Sequence, residues 1–361
     1  MASLVASEAP AVYEARSPEL RVSQKAVSGW LLGPWYDALL IANVGWPLLL
    51  LLQWGEGFDG REGVQFWQIY FLTTPHRWIT LGLVFFDRQR MRERGGLFLA
   101  IAAVVVVLCL GTQLTTGTLM CLLTIDYVWN AWHFASQHHG VYRIYSRLEV
   151  GGDDLVGIAH PTRGRGLVIE KWGMRLMLLY VILRVAGATW SYPRVEQALA
   201  RLDWVAIGAA AWLAVREVVQ ARRLAPRSLY LGSMLGLYVG LLLAVHFRQP
   251  GLVLSLATAS AVFHATEYLA LVTWSVRKRE GALPGGYGLL SFLAGRWAVV
   301  LVVFVVVLGM GGWLMQLHLL KAWLTLNVIV AFLHYAYDGL LWRRGGGAAM
   351  AAVRPVVVSA S

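Results

Sequence analysis

The sequence has few charged residues and almost no cysteine for its length. Only 14% of its 361 residues are charged, whereas 58% are hydrophobic, and a soluble domain carries about 25% charged residues. This shortage of charge excludes an ordinary soluble globular protein, and with a mean hydropathy of +0.59 it indicates a polytopic membrane protein. The two cysteines, Cys109 and Cys121, lie in apolar runs, so the chain has neither a disulfide framework nor a CxxC metal site.

The first 28 residues lack the compact apolar core and the small-residue cleavage site of a signal peptide. Six charged residues are spread through them instead, from Glu8 to Lys25. We therefore expect a cytoplasmic N-terminal tail at 1–28 and a transmembrane helical domain at 29–343. The Gly- and Ala-rich segment 344–361 is expected to be a disordered C-terminal tail.

Ten apolar stretches of about 17–25 residues, long enough to cross a bilayer, follow the N-terminal segment. They are 35–54, 66–86, 96–113, 117–141, 172–190, 203–219, 228–247, 251–275, 291–312 and 317–342. The short connections at 114–116 and 248–250 predict helical hairpins, and 148–171 is predicted to be the longest loop. The fold class is therefore all-α, a polytopic membrane bundle of about ten transmembrane helices without an internal repeat.

Basic residues alternate between crowded and sparse connections along this chain of net charge +11. Lys and Arg clusters follow every even-numbered stretch, at 88–94, 143–171, 222–227, 277–279 and 343–344. Because cytoplasmic loops are enriched in Lys and Arg, we expect both termini in the cytoplasm and a multi-pass protein of the cell inner membrane. The same pattern explains the positive charge without nucleic acid, which we exclude as a partner.

Histidines recur at similar depths in the even-numbered stretches. With this topology those helices run from outside to inside, and their histidines fall between the bilayer middle and the cytoplasmic side. The members of this layer are His76, His133, His138, His139, His264 and His334. Polar groups within a membrane helix are costly, so they normally face the bundle interior and have partners. We expect His76, His133, His264 and His334 to share one buried centre. His138 and His139 lie nearer the cytoplasmic end, where they either complete a second metal position or meet water at the mouth of the site.

Each histidine of the layer has polar neighbours at helical spacing. Asp126, Asn130, His133 and Gln137 follow one another at i, i+4, i+7 and i+11, which is one helix face. Elsewhere, Thr80 lies at i+4 from His76. Glu267 and Tyr268 lie at i+3 and i+4 from His264, and Asp338 lies at i+4 from His334. Such neighbours fix the orientation of a metal-ligating imidazole, and Glu267, Asp338 or Asp126 could also be bridging ligands.

Nitrogen and oxygen donors without thiolate suit Fe or Mn, and also Zn or Cu. A mononuclear centre would do oxygen or hydrolytic chemistry, whereas a dinuclear centre needs bridging carboxylates. The same polar cluster also fits a proton or ion pathway, or a network that only fixes helix packing. The residues alone leave these three hypotheses and the nuclearity open.

Several motifs resemble those of known membrane enzymes. The box His133-x-x-x-x-His138-His139 resembles one of the histidine boxes of membrane fatty-acid desaturases and hydroxylases, whose other boxes are absent here. The chain also looks like bacterial polytopic membrane proteins with GPWYD near the first helix, PH in the second and HHGxYRIY in the fourth.

The order of the histidine motifs is similar to that of the bacterial Brp/Blh-type membrane beta-carotene dioxygenases, which hold one iron with histidines only. The matching motifs are Pro75-His76, His133-Phe134, His264 and His334-x-x-x-Asp338. The sequence departs from the family where Thr80 replaces an acid and Tyr268 replaces a second histidine, and the pair His138-His139 is extra. The resemblance implies a common type of site and does not imply retinal formation.

The leading hypothesis is a membrane metal oxidoreductase, with iron as the expected cofactor, that acts on a lipid or isoprenoid entering from the bilayer. The histidines would be the metal ligands. Glu267, Asp338 and Asp126 would orient these ligands or bridge two metal ions. Tyr268 would donate a hydrogen bond to dioxygen. An electron-donor protein is an expected partner. The alternatives are a proton- or ion-coupled transporter and a non-catalytic membrane assembly protein.

Overall fold

The structure, a computed structural model, describes residues 29–55, 64–150, 163–187, 193–220, 226–282, 293 and 295–342. Every regular element within these ranges is a helix, as the apolar stretches predict. The predicted tails at 1–28 and 344–361 lie outside the described residues, as does the middle half of the predicted loop, residues 151–162.

Twelve helical segments make up the described chain. They are α1 (Pro34–Tyr36, continued by a π-helical turn at Asp37–Ile41), α2 (Trp46–Gly55), α3 (Val64–Trp67, continued by a π-helical turn at Gln68–Thr73), α4 (Thr74–Phe85), α5 (Arg88–Thr116), α6 (Met120–Val150), α7 (Arg163–Gly187), α8 (Pro193–Gln220), α9 (Pro226–His246), α10 (Pro250–Ala282), α11 (Trp297–His318) and α12 (Leu320–Leu341). Each of the ten predicted stretches coincides with helix, the first with α1 and α2 and the second with α3 and α4.

Three boundaries differ from the prediction. The loop predicted at 148–171 is wrong at both ends, because α6 continues to Val150 and α7 begins at Arg163. Glu170, near the start of α7, pairs with Arg216 on α8 at 2.7 Å. This ion pair stabilises the first turns of α7, which are too charged for hydropathy to predict them as part of a membrane helix. The ninth stretch, 291–312, corresponds to α11, which begins and ends six residues later. The hairpin turn predicted at 114–116 lies instead between the end of α5 at Thr116 and the start of α6 at Met120.

Six helices among the described residues are long and apolar enough to cross a membrane, and the pair α1 and α2, bent by 47°, would make a seventh if it forms one span. The six are α5, α8, α9, α10, α11 and α12. These long apolar helices indicate a multi-pass membrane protein. Helix α6 is long enough but carries the polar row, which lowers its hydropathy. The count of ten spans stays a prediction.

Helix α10 joins two apolar cores. One core is built from α1, α2 and α6 to α9 and includes Phe263 of α10. The other is built from α4, α5, α11 and α12 and includes Val272 of the same helix. Since His264 and Glu267 lie between these two positions, the polar residues of α10 are placed where the two cores meet.

A proline shapes the approach to the first histidine. Pro75 has no backbone N–H, and its ring clashes with the carbonyl four residues earlier, so an α-helix cannot continue normally through it. The chain instead forms the π-helical turn Gln68–Thr73 directly before α4. The Thr74 hydroxyl donates a hydrogen bond to the backbone carbonyl of Ile69 at 2.9 Å. π-helical turns occur often at functional sites, and this one positions His76.

Two of the sequence motifs contact each other. Asp37 of the GPWYD motif is fully buried and accepts hydrogen bonds from the backbone N–H groups of Leu31 (2.6 Å), Leu32 (2.9 Å) and Gly33 (3.3 Å). It also accepts one at 2.9 Å from the hydroxyl of Tyr145, which ends the HHGxYRIY motif. This carboxylate therefore ties the start of the described chain to α6.

Candidate metal centre

Four helices each bring one histidine to a common point. His76 of α4, His133 of α6, His264 of α10 and His334 of α12 are exposed by only 3, 8, 0 and 0%. Each ring contacts two others, with centroid distances of 5.1 Å from His76 to His264, 5.0 Å from His264 to His133, 4.7 Å from His133 to His334 and 5.0 Å from His334 to His76. The four imidazoles close a ring, which we call the histidine tetrad.

The donor atoms of the tetrad are close to ligation distances. Nε2 of His133 and Nε2 of His334 lie 3.1 Å apart. The ligand atoms of His76, His264 and His334 lie within 4.8 Å of one another, and so do those of His133, His334 and Asp338. Two ligands of one ion with bonds of about 2.1 Å are roughly 3–4.2 Å apart. Small side-chain movements would therefore bring these donors onto a common ion.

His264 is the least satisfied member of the tetrad. It is fully buried, and neither of its ring nitrogens has a hydrogen-bond partner among the described residues. The ring of Phe134 stacks on it at 3.7 Å, with an interplanar angle of 17°, so the imidazole is held in a fixed plane. Burying a polar atom without a hydrogen-bond partner costs about 1–3 kcal/mol of stability. A ligand bound to these two nitrogens, such as a metal ion, would offset that cost.

A chain of hydrogen bonds supports the tetrad from α4, α10 and α12. Nδ1 of His334 lies 2.7 Å from the hydroxyl of Thr80, and that hydroxyl lies 2.7 Å from the hydroxyl of Tyr268. Tyr268 donates to Oδ1 of Asp338 at 2.5 Å, and Nε1 of Trp342 donates to the same oxygen at 3.3 Å. The other carboxylate oxygen of Asp338, Oδ2, lies 3.8 Å from Nε2 of His133. Proteins orient metal-binding histidines by such outer hydrogen bonds.

The predicted polar row of α6 faces α10 and α12, as expected. The hydroxyl of Tyr335 lies 3.0 Å from Oδ1 of both Asp126 and Asn130, and its ring packs against the tetrad. Nε2 of Gln137 donates at 3.1 Å to the backbone carbonyl of His264. Asp126 therefore reaches the tetrad only through a tyrosine, and its position is that of a supporting residue rather than a bridging ligand.

His138 belongs to a separate buried group with Glu267. Its Nδ1 lies 2.9 Å from Oε2 of Glu267 and 2.7 Å from the hydroxyl of Tyr230, and its Nε2 lies 3.0 Å from the hydroxyl of Tyr238. Both ring nitrogens are thus occupied by protein partners, and the ring centroid is 6.4 Å from that of His264. The structure places Glu267 beside His138 and not beside the tetrad.

His139 lies in the wall of a cavity of about 960 Å³ between α6, α7 and α12. It is buried, and its Nε2 has no hydrogen-bond partner among the described residues. The cavity reaches His133, Tyr268 and Asp338 at one end, so it connects with the tetrad. Of the six predicted ligands, four form the tetrad, one is held by tyrosines and Glu267, and one borders the cavity.

Two histidines outside the predicted layer, His246 and His318, lie apart from the tetrad. His246 pairs with Asp203 at 2.9 Å, and His318 is exposed at the end of α11. His160 lies outside the described residues.

Sequence reasoning missed the tyrosines that complete these networks. Tyr230 and Tyr238 on α9 fall eight residues apart, close to a shared face, which was the available signal for a polar stripe on that helix. Tyr335 directly follows His334, but adjacent residues on a helix point in different directions. Its contact with α6 was therefore not readable from spacing.

No protein-family model, curated protein or solved structure matches this chain. The class that the fold and the site define is a helical bundle of membrane type with a buried cluster of histidines and a carboxylate. The sequence resemblances to dioxygenases and desaturases stay predictions.

Proposed function

We propose that this chain is an integral membrane oxidoreductase that holds a transition metal at the histidine tetrad and oxidises a lipid or isoprenoid substrate. Iron is the proposed metal, since imidazole and carboxylate donors suit it, although Mn, Zn and Cu share that preference. His76, His133, His264 and His334 would hold the metal, with Asp338 as a further ligand. The two groups of donors share His334, so both one and two ions fit.

The observation that carries this proposal is the state of His264. This imidazole is fully buried, both of its nitrogens are without a hydrogen-bond partner among the described residues, and it lies at contact distance from the rings of His76 and His133. A purely structural histidine would be expected to have hydrogen-bond partners, as His138 does with its two tyrosines. A metal ligated by the tetrad would satisfy His264 and its neighbours together.

The remaining residues orient the donors and admit the substrate. Bound iron would supply the one-electron and oxygen chemistry that side chains lack. Thr80 fixes the ring of His334 through Nδ1, and Tyr268 holds Oδ1 of Asp338, which leaves Oδ2 free to face the centre. The cavity gives an apolar substrate a route to the side of the tetrad at His133. An electron-donor protein is the proposed partner.

We further propose ten membrane spans, cytoplasmic termini and a location in the cell inner membrane. The alternation of Lys- and Arg-rich connections along the sequence supports this topology, and each predicted span coincides with helix in the described residues.

Metal analysis of the purified full-length chain tests the proposal. Elemental mass spectrometry is expected to find at least one transition-metal ion per chain, and His264→Ala and His133→Ala are expected to lose it. His318→Ala, which changes an exposed histidine, is the matched control and should retain the metal. A wild-type protein without stoichiometric metal, or metal retained in both tetrad variants, would overturn the proposal.

The same experiment separates the alternatives. A metal-free wild type with proton or solute flux in proteoliposomes, abolished by Glu267→Gln, would favour the transporter. A metal-free protein without flux, in which these variants lose only stability, would favour the assembly protein.

A further inference from the structure

The cavity beside the tetrad has two chemically different ends. At one end it is bordered by His133, Tyr268 and Asp338, the residues of the candidate metal centre. At the other end it is bordered by basic side chains of α6 and α7. Its volume, about 960 Å³, is at the upper end of the range for small-molecule sites, about 300–1,000 Å³. A ligand that fills it would touch both ends.

The basic end consists of two pairs of cations. Arg143 and Arg147 are four residues apart on α6, and Lys171 and Arg175 are four residues apart on α7. Residues at this spacing share a helix face, and all four are partly buried and line the cavity. We call them the basic wall. Like charges gathered on a cavity repel one another, so an anion between them would be stabilising.

Among the described residues, no acid pairs with Lys171 or Arg175, the two members of the basic wall on α7. Glu170, the carboxylate closest in sequence to Lys171, pairs with Arg216 at 2.7 Å and lies 4.0 Å from Arg143. Asp338 lines the cavity at its opposite end. Nε of Arg175 is buried without a hydrogen-bond partner among the described residues, and its guanidinium lies 5.5 Å from the ring of Trp132. A cation held in this position is able to bind an anionic group.

The stretch between the two ends is mainly apolar. Trp129, Trp132, Leu167, Leu271 and Leu340 border it, and Ser136, Gln137 and His139 of α6 add a narrower polar strip. A free phosphate would satisfy the basic wall and leave the larger apolar surface uncovered. A molecule with an anionic group and a long apolar chain matches the basic wall and this apolar surface together.

We propose that the cavity binds an amphiphile with an anionic headgroup, such as a phosphate, seated on the basic wall, and with its apolar chain directed at the histidine tetrad. This inference rests on the proposed function for what happens to the ligand's apolar chain at the tetrad, but the binding itself needs no metal. Ten residues of α6 separate His133 from Arg143, about 15 Å at 1.5 Å per residue. The carbon nearest the tetrad would therefore lie roughly ten or more bonds from the headgroup, for carbon–carbon bonds of ~1.5 Å.

Equilibrium binding with three probes tests the inference on the purified full chain in a non-ionic detergent. The probes are oleyl phosphate, oleyl alcohol with the same chain and no charge, and inorganic phosphate without the chain. Oleyl phosphate is expected to bind on the order of tenfold or more tightly than either of the others, the range of a hydrogen bond to a charged group. Equal binding of oleyl phosphate and oleyl alcohol would overturn the inference, and so would equal binding of inorganic phosphate.

Two variants locate the headgroup. Arg175→Gln is expected to weaken oleyl phosphate binding on the order of tenfold and to leave oleyl alcohol binding unchanged, whereas Arg175→Lys should retain most of the preference because it keeps the charge. Arg92→Gln is the matched control, since Arg92 is exposed on α5 and does not line the cavity. If Arg175→Gln behaves like Arg92→Gln, the basic wall serves only membrane topology and the inference is wrong.

The failure of this inference is distinguishable from the failure of the proposed function. Binding is measured on metal-loaded and on chelator-treated protein, and metal content is measured on every variant. Charge-dependent binding in a protein that never holds metal would overturn only the oxidoreductase. Stoichiometric metal with no preference for oleyl phosphate would overturn only the amphiphile site.

Discussion

Nε2 of His133 and Nε2 of His334 lie 3.1 Å apart, although the two residues are 201 positions apart in the chain. This distance suits two imidazoles on one ion, and it also suits a hydrogen bond in which one nitrogen donates and the other accepts. The second arrangement would satisfy only these two rings, and His264 beside them would still have no hydrogen-bond partner among the described residues.

Thr80 is predicted to act through His334. In Thr80→Val the shape of the side chain is kept, but Nδ1 of His334 loses its partner, so the affinity for metal should fall about 10–100-fold. Thr80→Ser should restore it. Titration with a competing chelator measures the affinity. Thr124→Val is the control, because the Thr124 hydroxyl is exposed and donates to the carbonyl of Met120 on its own helix. Equal affinity in Thr80→Val and wild type would contradict this role.

His138 is predicted to be structural. His138→Ala removes the imidazole partner of the buried Glu267 carboxylate, and losing a hydrogen bond of this kind costs about 1.5–3 kcal/mol. The unfolding midpoint in detergent should therefore fall, while the folded fraction keeps its metal. His139→Ala is the neighbouring control and should change stability far less, since Nε2 of His139 has no partner to lose. Loss of metal from folded His138→Ala protein would place this residue in the metal centre instead.

Two adjacent glycines of α11 are predicted to respond in opposite directions. A Cβ added at Gly312 would lie 2.5 Å from the ring of Trp323 on α12, whereas one added at Gly311 would have nothing within 4 Å. Trp323 cannot easily yield, because Tyr70 stacks on it at 6.0 Å. Gly312→Ala should lose about 1–3 kcal/mol of stability, and Gly311→Ala should be neutral or gain up to ~1 kcal/mol.

Thermal unfolding of both variants in the same detergent checks this prediction. Equal midpoints for Gly311→Ala and Gly312→Ala would mean that α11 and α12 are not as closely packed as the structure has them.

The helices and the depth of the histidines were readable from the sequence. Apolar runs marked each helical segment, because a membrane helix needs about 20 apolar residues. Repeated histidines at similar depths of the even-numbered stretches then predicted a shared layer. Boundaries were less accurate, as at α7, where ion pairs in the bundle stabilise a helix end that hydropathy excludes.

The membership of the site was only partly readable. Spacing correctly predicted that the row from Asp126 to Gln137 faces the centre, because helical period alone fixes which residues share a face. It predicted that His133 faces the centre, but it left the role of His138, five residues further along α6, open. Their different partners, His334 for one and Tyr230 with Glu267 for the other, come from other helices.

By itself, the sequence determined that this chain is helical, that it is of membrane type and that His76, His133, His264 and His334 belong together. These properties follow from hydropathy and from the helical period, which are local. Only the tertiary structure decided that four histidines form the tetrad, that Thr80 supports one of them and that the basic wall lines a cavity. Those relationships depend on the rotation and packing of α4, α6, α7, α10 and α12 against one another, which is set by contacts between residues far apart in the chain.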